Sequence, residues 1–252
     1  MFFVSNLRAE AATESRTEAR PITPRAPQPV TRVAMSQTWR GLTFLHWPYE
    51  PAVVQPLLPP GLMLDTLDGD AWIGLVPFEI HNLRGISHFP ETNVRTYVIG
   101  PDGSRAVWFF SLDAARLAVV LGARFAYHLP YFWAKMRVAS EDGTIHYQSR
   151  RRRPHAVNVM SDIRVKPGQR IAAEKLSERD HFLTARYRLY TIVQRRLRWA
   201  QIEHQPWPLA RAALVTLKQN LIDAAGLPAP EGHPLVHYAA EIDVKIGYPG
   251  AA

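Results

Sequence analysis

The sequence predicts an α+β fold whose sheet is mostly antiparallel. Runs rich in Val, Ile, Tyr, Phe and Trp recur along most of the chain. Two pairs of these runs flank tight-turn residues, GPDG at 100–103 and EDG at 141–143. Helical spacing of apolar residues is confined to a few segments. Since strands joined by tight turns pair antiparallel, we expect an antiparallel barrel or sandwich with few helices.

Length and composition predict one large domain. The chain has 252 residues, of which 47% are hydrophobic, so it can bury a sizeable core. It has no cysteine, which excludes disulfides and thiolate metal sites. No apolar run reaches the roughly 18 residues that a membrane span requires. We therefore expect a soluble, cytoplasmic protein.

The first residues differ in composition from the rest. Residues 1–34 are polar, rich in Pro, Ala, Thr and Arg, and without periodicity. Such a segment buries too little apolar surface to offset the entropy lost on ordering. We expect a disordered N-terminal tail at 1–34 and a single domain at 35–252.

The first half of the domain reads mainly as strands. TWRGLTFLHW (38–47) predicts the first strand, and PAVVQPLL (51–58) predicts a short helix that Pro59 stops. DGDAWIGLVPFEI (68–80) begins with turn residues and continues as a strand. NVRTYVIGPDGSRAVWFFSL (93–112) predicts a hairpin.

Two short helices and a second hairpin are predicted in the middle of the domain. DAARLAVVLGA (113–123) has helical apolar spacing, and its N-cap is expected at Ser111 or Asp113. The strings ARFAYHLPYFWAKMRVAS and TIHYQSRRRR form the hairpin around EDG. In SERDHFLTARY, Ser177 and Asp180 have the spacing of a capping box at a helix start.

The last third combines strands with the strongest helical pattern of the chain. RYRLYTIV and LRWAQIEH predict two strands, and LVHYAAEIDVKIG predicts the closing strand. PLARAALVTLKQNLIDAAG (208–226) predicts the longest helix, with Pro208 in its first turn and Gly226 past its end. We expect this helix to pack across one face or end of the sheet.

One strand carries polar side chains on one face. Because side chains alternate along a strand, ETNVRTYV places Glu91, Asn93, Arg95 and Tyr97 together and β-forming residues opposite. Such a face lies either in solvent or against a cavity, and the pattern alone favours solvent.

Neighbouring strands shift this interpretation toward a cavity. Tyr147 and Arg151 share a face of HYQSRR, and Tyr131, Trp133 and Lys135 share a face of PYFWAK. Tyr, Trp and Arg each combine an apolar body with a polar tip, which suits a wet pocket. Arginine also binds carboxylates through two parallel hydrogen bonds. The set predicts a site for a small anionic or carbonyl ligand.

Common catalytic motifs are absent from the sequence. The ten histidines are dispersed without metal-ligand spacing, and there is no P-loop, G-x-G-x-x-G or G-x-S-x-G. His46, beside Trp47 in the first strand, is more simply a structural histidine, and we keep it as a candidate ligand contact. We expect neither a metal nor a cofactor.

The net charge of +8 raises the possibility of a nucleic-acid or acidic-partner surface. The densest basic run, Arg150 to Arg153, is short and precedes Pro154, as a solvated strand end does. No zinc-finger, RNA-recognition or helix-turn-helix pattern supports a nucleic-acid function. Nucleic-acid binding therefore ranks last among the candidate functions.

Several strings together resemble a known family. The chain resembles the YqjF-like family of unknown function, a branch of the acetoacetate decarboxylase-like superfamily, over roughly residues 38–247. The strings that carry the resemblance are LTFLHW, LLPPGL, DGDAWIGLVPF, ETNVRTYV, WFFSLDA, ARFAYHLPYFWAKM, FLTARYRLY and HQPWPLARA. The resemblance implies a cone-shaped antiparallel β-barrel with short helices and an internal cavity. It also implies that the polar face of ETNVRTYV lines that cavity.

The sequence departs from the acetoacetate decarboxylase pattern at one important position. Acetoacetate decarboxylases carry a Gly-Arg-Glu run and then an aromatic-Pro-Lys-Lys string whose first lysine forms a Schiff base with the keto acid. Here Arg124 lies near the first element, and Tyr131 follows Pro130 where that lysine is expected. A phenol cannot form an imine, and Lys135 lies about 13 Å along an extended strand from Tyr131. Lys135 and Lys245 are therefore weak substitutes, and imine chemistry is not expected.

Three functions remain open from the sequence. The leading hypothesis is a binding site for a small anionic or carbonyl ligand, with Arg95 and Arg124 holding the anion and Tyr131 donating a hydrogen bond. The second is a lysine-independent acid–base enzyme acting on a keto or enol substrate, with Glu91 and Tyr131 sharing proton transfer. The third is the basic partner-binding surface. An oligomer is possible in each case, and no membrane partner is expected.

Overall fold

The computed structural model describes residues 18–83, 85–152 and 158–251, so the first half of the predicted tail, Arg153 and Pro154 lie outside the described residues. Its first strands are β1 (Val33–Tyr49), β2 (Met63–Leu64), β3 (Ala71–Leu83), β4 (Ile86–Ile99), β5 (Arg105–Ala114), β6 (Tyr131–Glu141) and β7 (Thr144–Arg151). The others are β8 (Met160–Arg170), β9 (Arg188–Val193), β10 (Arg196–His204), β11 (Leu209–Gln219), β12 (Leu235–Gly247) and β13 (Gly250–Ala251). The helices are α1 (Pro51–Val54), α2 (Leu117–Ala126) and α3 (Glu178–Thr184), with 3-10 turns at Gln55–Leu57, Ala173–Lys175 and Asp223–Ala225. The predicted mostly antiparallel sheet with few short helices is confirmed.

Five strands form a wall through the middle of the molecule. Antiparallel ladders join β12, β1, β3, β4 and β5 in this order. Two separate series of paired strands connect β12 to β5 outside this wall. One route runs through β9 and β10, and the other runs through β6, β7, β8 and β11. The ladders therefore close two circuits that share this wall.

The wall is buried on both faces, and each face has its own core. The first core, which includes Phe44 and Phe78, lies on the side of β9 and β10. The second core, which includes Trp47, Leu75 and Val94, lies on the side of β7 and β8. Alternation along β1, β3 and β4 thus sends successive side chains into different cores. This explains why both the polar and the apolar faces of ETNVRTYV are buried.

Residues before β1 lie against the folded sheet where they are described. The Arg20 amide donates to the Gly103 carbonyl. Tyr187 Oη donates to the Pro24 carbonyl at 2.5 Å, and the Gln201 side chain donates to the Gln28 carbonyl at 2.6 Å. Val30 is buried.

The predicted long helix at 208–226 is wrong. Its first part is strand β11, which hydrogen-bonds to β8 and β12, and only Asp223–Ala225 is helical. The apolar residues of this stretch are dense enough to fit both a helical and a strand period. The stretch forms a strand because β8 and β12 each present an edge to which it can hydrogen-bond. Gly226 ends the 3-10 turn with a φ of 86°. The longest α-helix is α2 instead.

The two predicted helix caps have different outcomes. The capping box of α3 is confirmed, because Ser177 Oγ accepts from the Asp180 amide and the Asp180 carboxylate accepts from the Ser177 amide. The predicted cap of α2 at Ser111 or Asp113 is wrong. Both residues lie in β5, and α2 begins at Leu117 after Arg116 with no side-chain cap.

Among the described residues, none of the helices combines the length and apolar character that a membrane crossing requires. Within the same residues, no group of three or more His, Asp and Glu is arranged to hold a metal ion.

Candidate functional site

A small chamber, with a few polar and charged side chains in a mostly apolar lining, lies between the wall and strands β9 and β10. Its volume is about 80 Å³. Glu91, Asn93 and Arg95 project into it from β4, as the alternation pattern predicts. The residues that complete the lining are Gln37, Trp39, Leu42, Val76, Phe78, Ile80, Val107, Phe109, Leu112, Leu129, Tyr131, Thr184, Arg186, Leu189, Ile202, His204, Trp207 and Ile246.

Glu91 and Tyr131 form a buried pair at one end of the chamber. Tyr131 Oη donates to Glu91 Oε2 at 2.8 Å. Strand β5 brings the two together, because it pairs Ala114 with Glu91 on one edge and Leu112 with Tyr131 on the other. Burial raises the pKa of Glu91 to about 8, the Tyr131 hydrogen bond opposes the increase, and nearby Asp113 adds to it. Glu91 is therefore mostly protonated at neutral pH.

Tyr131 stays neutral over the same range. Burial raises the pKa of its phenol, and the neighbouring Glu91 raises that pKa further. Because Tyr131 donates its proton to Glu91, the pair offers one free proton, that of the Glu91 carboxyl, which suits hydrogen bonding to a carbonyl oxygen or proton transfer beside one.

Arg95 is a buried cation without a carboxylate partner. Only 8% of the residue is exposed, and no Asp or Glu among the described residues forms an ion pair with it. Its Nη2 has only long contacts, at 3.4 Å to Tyr97 Oη and 3.4 Å to the Leu183 carbonyl. Its Nε has no hydrogen-bond partner. A buried charge normally requires a counter-ion, so the guanidinium is left to attract an anion from the chamber.

Arg186 contributes a second guanidinium, which is paired with a carboxylate. Its Nη2 lies 2.9 Å from Asp65 Oδ2, and both side chains are 2% exposed. Asp65 also pairs with Arg105. Burial lowers the pKa of Arg186 to about 10, and Asp65 opposes this decrease. Arg186 Nε faces no hydrogen-bond partner, so this side chain keeps one donor for a ligand.

Neutral polar groups complete the chamber. Asn93 Oδ1 has no hydrogen-bond partner among the described residues. His204 lies between Tyr187 and Trp207, with ring centroids 4.8 and 4.6 Å away. Burial lowers its pKa to about 4, so its ring is neutral at pH 7. The arginines therefore carry the charge of the chamber at neutral pH.

A larger apolar pocket adjoins the chamber. We call this pocket, of about 420 Å³, the vestibule. Helix α2 contributes Val119, Gly122 and Ala123 to its wall. Six residues line both the vestibule and the chamber, namely Gln37, Ile80, Leu129, Tyr131, Leu189 and Ile246.

Two predicted ligand contacts lie behind the chamber. Tyr97 and His46 are fully buried, and their Oη and Nε2 atoms are 2.6 Å apart. Tyr97 Oη also donates to the Leu183 carbonyl. Burial lowers the pKa of His46, and Arg95 lowers it further. Neither residue lines the chamber, and both support the position of Arg95.

Four other predicted contacts lie away from the chamber lining. Arg124, on α2, donates from Nε to the Tyr131 carbonyl at 2.6 Å and so holds the helix to the start of β6. Trp133 is half-buried under Arg152. Tyr147 belongs to the second core and donates to the Gly41 carbonyl. Arg151 is buried in an ion pair with Asp113.

Arg150, Arg151 and Arg152, the described members of the basic run, do not form a continuous surface. Arg151 points inward to Asp113, and the guanidinium of Arg152 lies 4.4 Å from the Trp133 ring centroid.

No lysine is among the described residues that line the chamber. Lys135 is exposed on β6, and Lys245 is a half-exposed partner of Glu203.

Several residues of the chamber lining carry no recognisable pattern in the sequence. Arg186 lies in the short connection between α3 and β9, where no periodicity indicates the direction of a side chain. Trp39 and Trp207 read as ordinary core aromatics, although the four-residue connection at 205–208 that holds Trp207 contains two prolines. His204 has no metal-ligand spacing that would single it out. The one usable signal was the proximity of Arg186 to the recognisable capping box of α3.

Comparisons with known proteins identify relatives of this chain. Residues 36–243 match the DUF2071 family, described as an uncharacterized conserved protein. The chain is 40% identical to the uncharacterized protein YqjF of Bacillus subtilis (strain 168) over 221 residues, which is 83% of this chain and 89% of that protein. The predicted YqjF-like resemblance is confirmed.

Solved structures share the fold at low identity. Acetoacetate decarboxylase from Legionella pneumophila aligns with a TM-score of 0.63 at 14% identity, covering 90% of this chain and 91% of that one. An acetoacetate decarboxylase-like enzyme from Sphingomonas wittichii RW1 aligns with a TM-score of 0.60 at 10% identity, covering 90% and 96%. The enduracididine biosynthesis enzyme MppR, complexed with pyruvate, aligns with a TM-score of 0.60 at 12% identity, covering 92% and 95%.

Proposed function

The chain belongs to the DUF2071 family, and we propose that it binds a small carboxylate-bearing carbonyl compound in the chamber between Arg95 and Glu91. The observation that carries this proposal is the buried Arg95 guanidinium with no carboxylate partner among the described residues. A ligand carboxylate would supply the missing counter-ion through paired N–H donors. We place this site inside a barrel of the acetoacetate decarboxylase type.

The opposite end of the chamber suits the carbonyl group. At neutral pH Glu91 is protonated, and because Tyr131 Oη donates its proton to Glu91 Oε2, the carboxyl proton of Glu91 is the donor of this pair that would bind the carbonyl. The fold neighbour MppR is described in complex with pyruvate, which has this pair of groups on adjacent carbons. Because Tyr131 stands where the resemblance implies a lysine, binding here would not involve an imine.

Calorimetric titration tests this proposal. Pyruvate and acetoacetate would be titrated into the wild-type protein, Arg95→Met and Arg150→Met. Loss of a hydrogen-bonded charge pair predicts at least tenfold weaker binding for Arg95→Met. Arg150→Met is the matched control, because Arg150 is exposed on β7 and lies outside the chamber lining. Equal affinity of the two variants would overturn the proposal.

A second candidate function is acid–base catalysis without a lysine. The observation that favours it is the pKa of about 8 at Glu91, which allows both proton donation and proton acceptance near neutral pH. In this reaction Glu91 would remove a proton from the carbon beside the ligand carbonyl, and Tyr131 would stabilise the resulting enolate oxygen. The proton would then return to the carbon or to the oxygen.

Deuterium exchange tests catalysis separately from binding. NMR in D2O would follow exchange at the carbon beside the carbonyl of each bound oxo acid. Exchange by the wild-type protein that disappears in Glu91→Gln supports catalysis, and binding without exchange contradicts it. Borohydride reduction of the same mixtures should leave Lys135 and Lys245 unmodified, and an adduct on either would mean that imine chemistry has moved to another lysine.

A further inference from the structure

The vestibule differs from the chamber in chemical character. None of the described residues that line it is charged. Its side chains come mainly from aliphatic residues of α2, β3, β4 and the start of β6, including Val119, Ile80, Ile86 and Leu129. A polar ligand group would find few partners there, since the polar side chains of this lining are those of Gln37, Tyr127, Tyr131 and Tyr248. The vestibule therefore suits a hydrocarbon.

The two spaces are arranged end to end. Tyr131 and Leu129 line both of them at the beginning of β6, and Ile80 and Leu189 do so from opposite sides. Arg95, Glu91 and Arg186 line only the chamber. A ligand that reached from Arg95 past Tyr131 would therefore enter the apolar space.

The volumes of the two spaces indicate which part of a ligand each could hold. The chamber, of about 80 Å³, is far below the 300–1,000 Å³ of typical small-molecule sites, whereas the vestibule, of about 420 Å³, lies within that range. The chamber accommodates a head group, and most of a larger ligand must lie outside it.

We infer that the natural ligand is an amphipathic oxo acid, with its carboxylate and carbonyl in the chamber and an apolar chain of several carbons in the vestibule. This inference rests on the proposed function for the head group and adds the substrate class. It distinguishes this protein from one built for short keto acids, for which the vestibule would contribute little.

A chain-length series tests the inference. Calorimetry would compare 2-oxo acids from pyruvate to 2-oxodecanoate on the wild-type protein. Burial of each added methylene predicts about two- to fourfold tighter binding until the vestibule is filled. A short series of 3-oxo acids would show whether the position of the carbonyl changes this gain.

Gly122 offers a variant that narrows the vestibule. It lines the vestibule on α2, and a Cβ built there meets no heavy atom within 4 Å. Gly122→Phe should weaken binding of 2-oxodecanoate at least tenfold and leave pyruvate binding within about twofold. Gly122→Ala is the matched control, because it removes the glycine from the helix without filling the space. Ala123→Phe repeats the test from the next position on α2.

The outcomes separate this inference from the proposed function. Affinity that depends on Arg95 but not on chain length or on the two phenylalanine variants would overturn the amphipathic ligand and leave the proposed function standing. Affinity that rises with chain length but does not change in Arg95→Met would overturn the proposed head-group site. Absence of binding across the whole series would overturn both.

Discussion

Two buried arginines in this molecule have opposite surroundings. Arg151 Nε lies 2.8 Å from Asp113 Oδ1, the two side chains are 2% and 1% exposed, and the guanidinium stacks 3.9 Å from the Phe132 ring centroid. Arg95 is nearly as buried but pairs with no carboxylate among the described residues. It is held by the rings of Phe44 and Tyr97 and by two long hydrogen bonds.

This difference separates an arginine that is paired inside the protein from the one to which the proposed function assigns a ligand. The charge of Arg151 is balanced by Asp113, although its Nη2 has no hydrogen-bond partner among the described residues. In Arg95 the apolar and aromatic surroundings hold the side chain in place but leave its charge unbalanced. The absence of a counter-ion, rather than burial or an unpartnered N–H, therefore makes Arg95 the candidate.

Removal of the paired arginine should give the largest effect. Arg151→Met leaves Asp113 buried without its cation, so we expect the free energy of unfolding to decrease by about 3–5 kcal/mol. Urea denaturation measures this loss. Arg150→Met is the matched control, since Arg150 is the exposed neighbour on β7 and should change stability by less than about 0.5 kcal/mol. Similar losses in the two variants would contradict the structural role of Arg151.

Glu91→Gln should change how stability depends on pH. The folded-state pKa of about 8 exceeds the usual 4.5, so between these values the folded protein binds more protons than the unfolded chain. Rising pH therefore destabilises the wild type by up to about 1.4 kcal/mol per pH unit relative to Glu91→Gln, with no difference in slope below 4.5 or above 8. Denaturation from pH 5 to 9 measures this, and parallel curves would show that Glu91 is ionised at neutral pH.

Tyr131→Phe should have an intermediate effect. It leaves Glu91 Oε2 without its donor, which costs about 1–3 kcal/mol. The lost hydrogen bond had opposed the increase in the Glu91 pKa, so the pH-dependent loss of stability should extend to higher pH. The same denaturation series measures both effects. In a Glu91→Gln background the substitution should leave the pH dependence unchanged, and a further change there would point to another titrating group.

Arg95→Met should change stability least. No carboxylate is left unpaired, and removal of an unbalanced buried charge offsets the loss of its ring contacts. We expect the free energy of unfolding to stay within about 1 kcal/mol of the wild type, while ligand binding is lost. A destabilisation comparable to that of Arg151→Met would mean that Arg95 is structural as well, which would remove the contrast between the two arginines.

Local patterns in the sequence predicted the parts of the site that lie on regular elements. Alternation along β4 identified Glu91, Asn93 and Arg95 as neighbours, and the resemblance drew attention to Tyr131. The same reasoning missed Arg186, because a connection of three residues between α3 and β9 has no period. It also favoured a helix at 208–226, since local spacing contains no information about the open edges of β8 and β12.

Because the wall has a different environment on each face, odd-numbered and even-numbered positions of β4 have different surroundings. Odd-numbered positions from 91 to 97 meet the chamber or support Arg95, and the even-numbered Val94 belongs to the opposite core. Substitutions at the odd positions therefore change the lining or the support of the chamber, whereas a substitution at Val94 changes the packing of the opposite core. The chamber and the second core can thus be altered independently from a single strand.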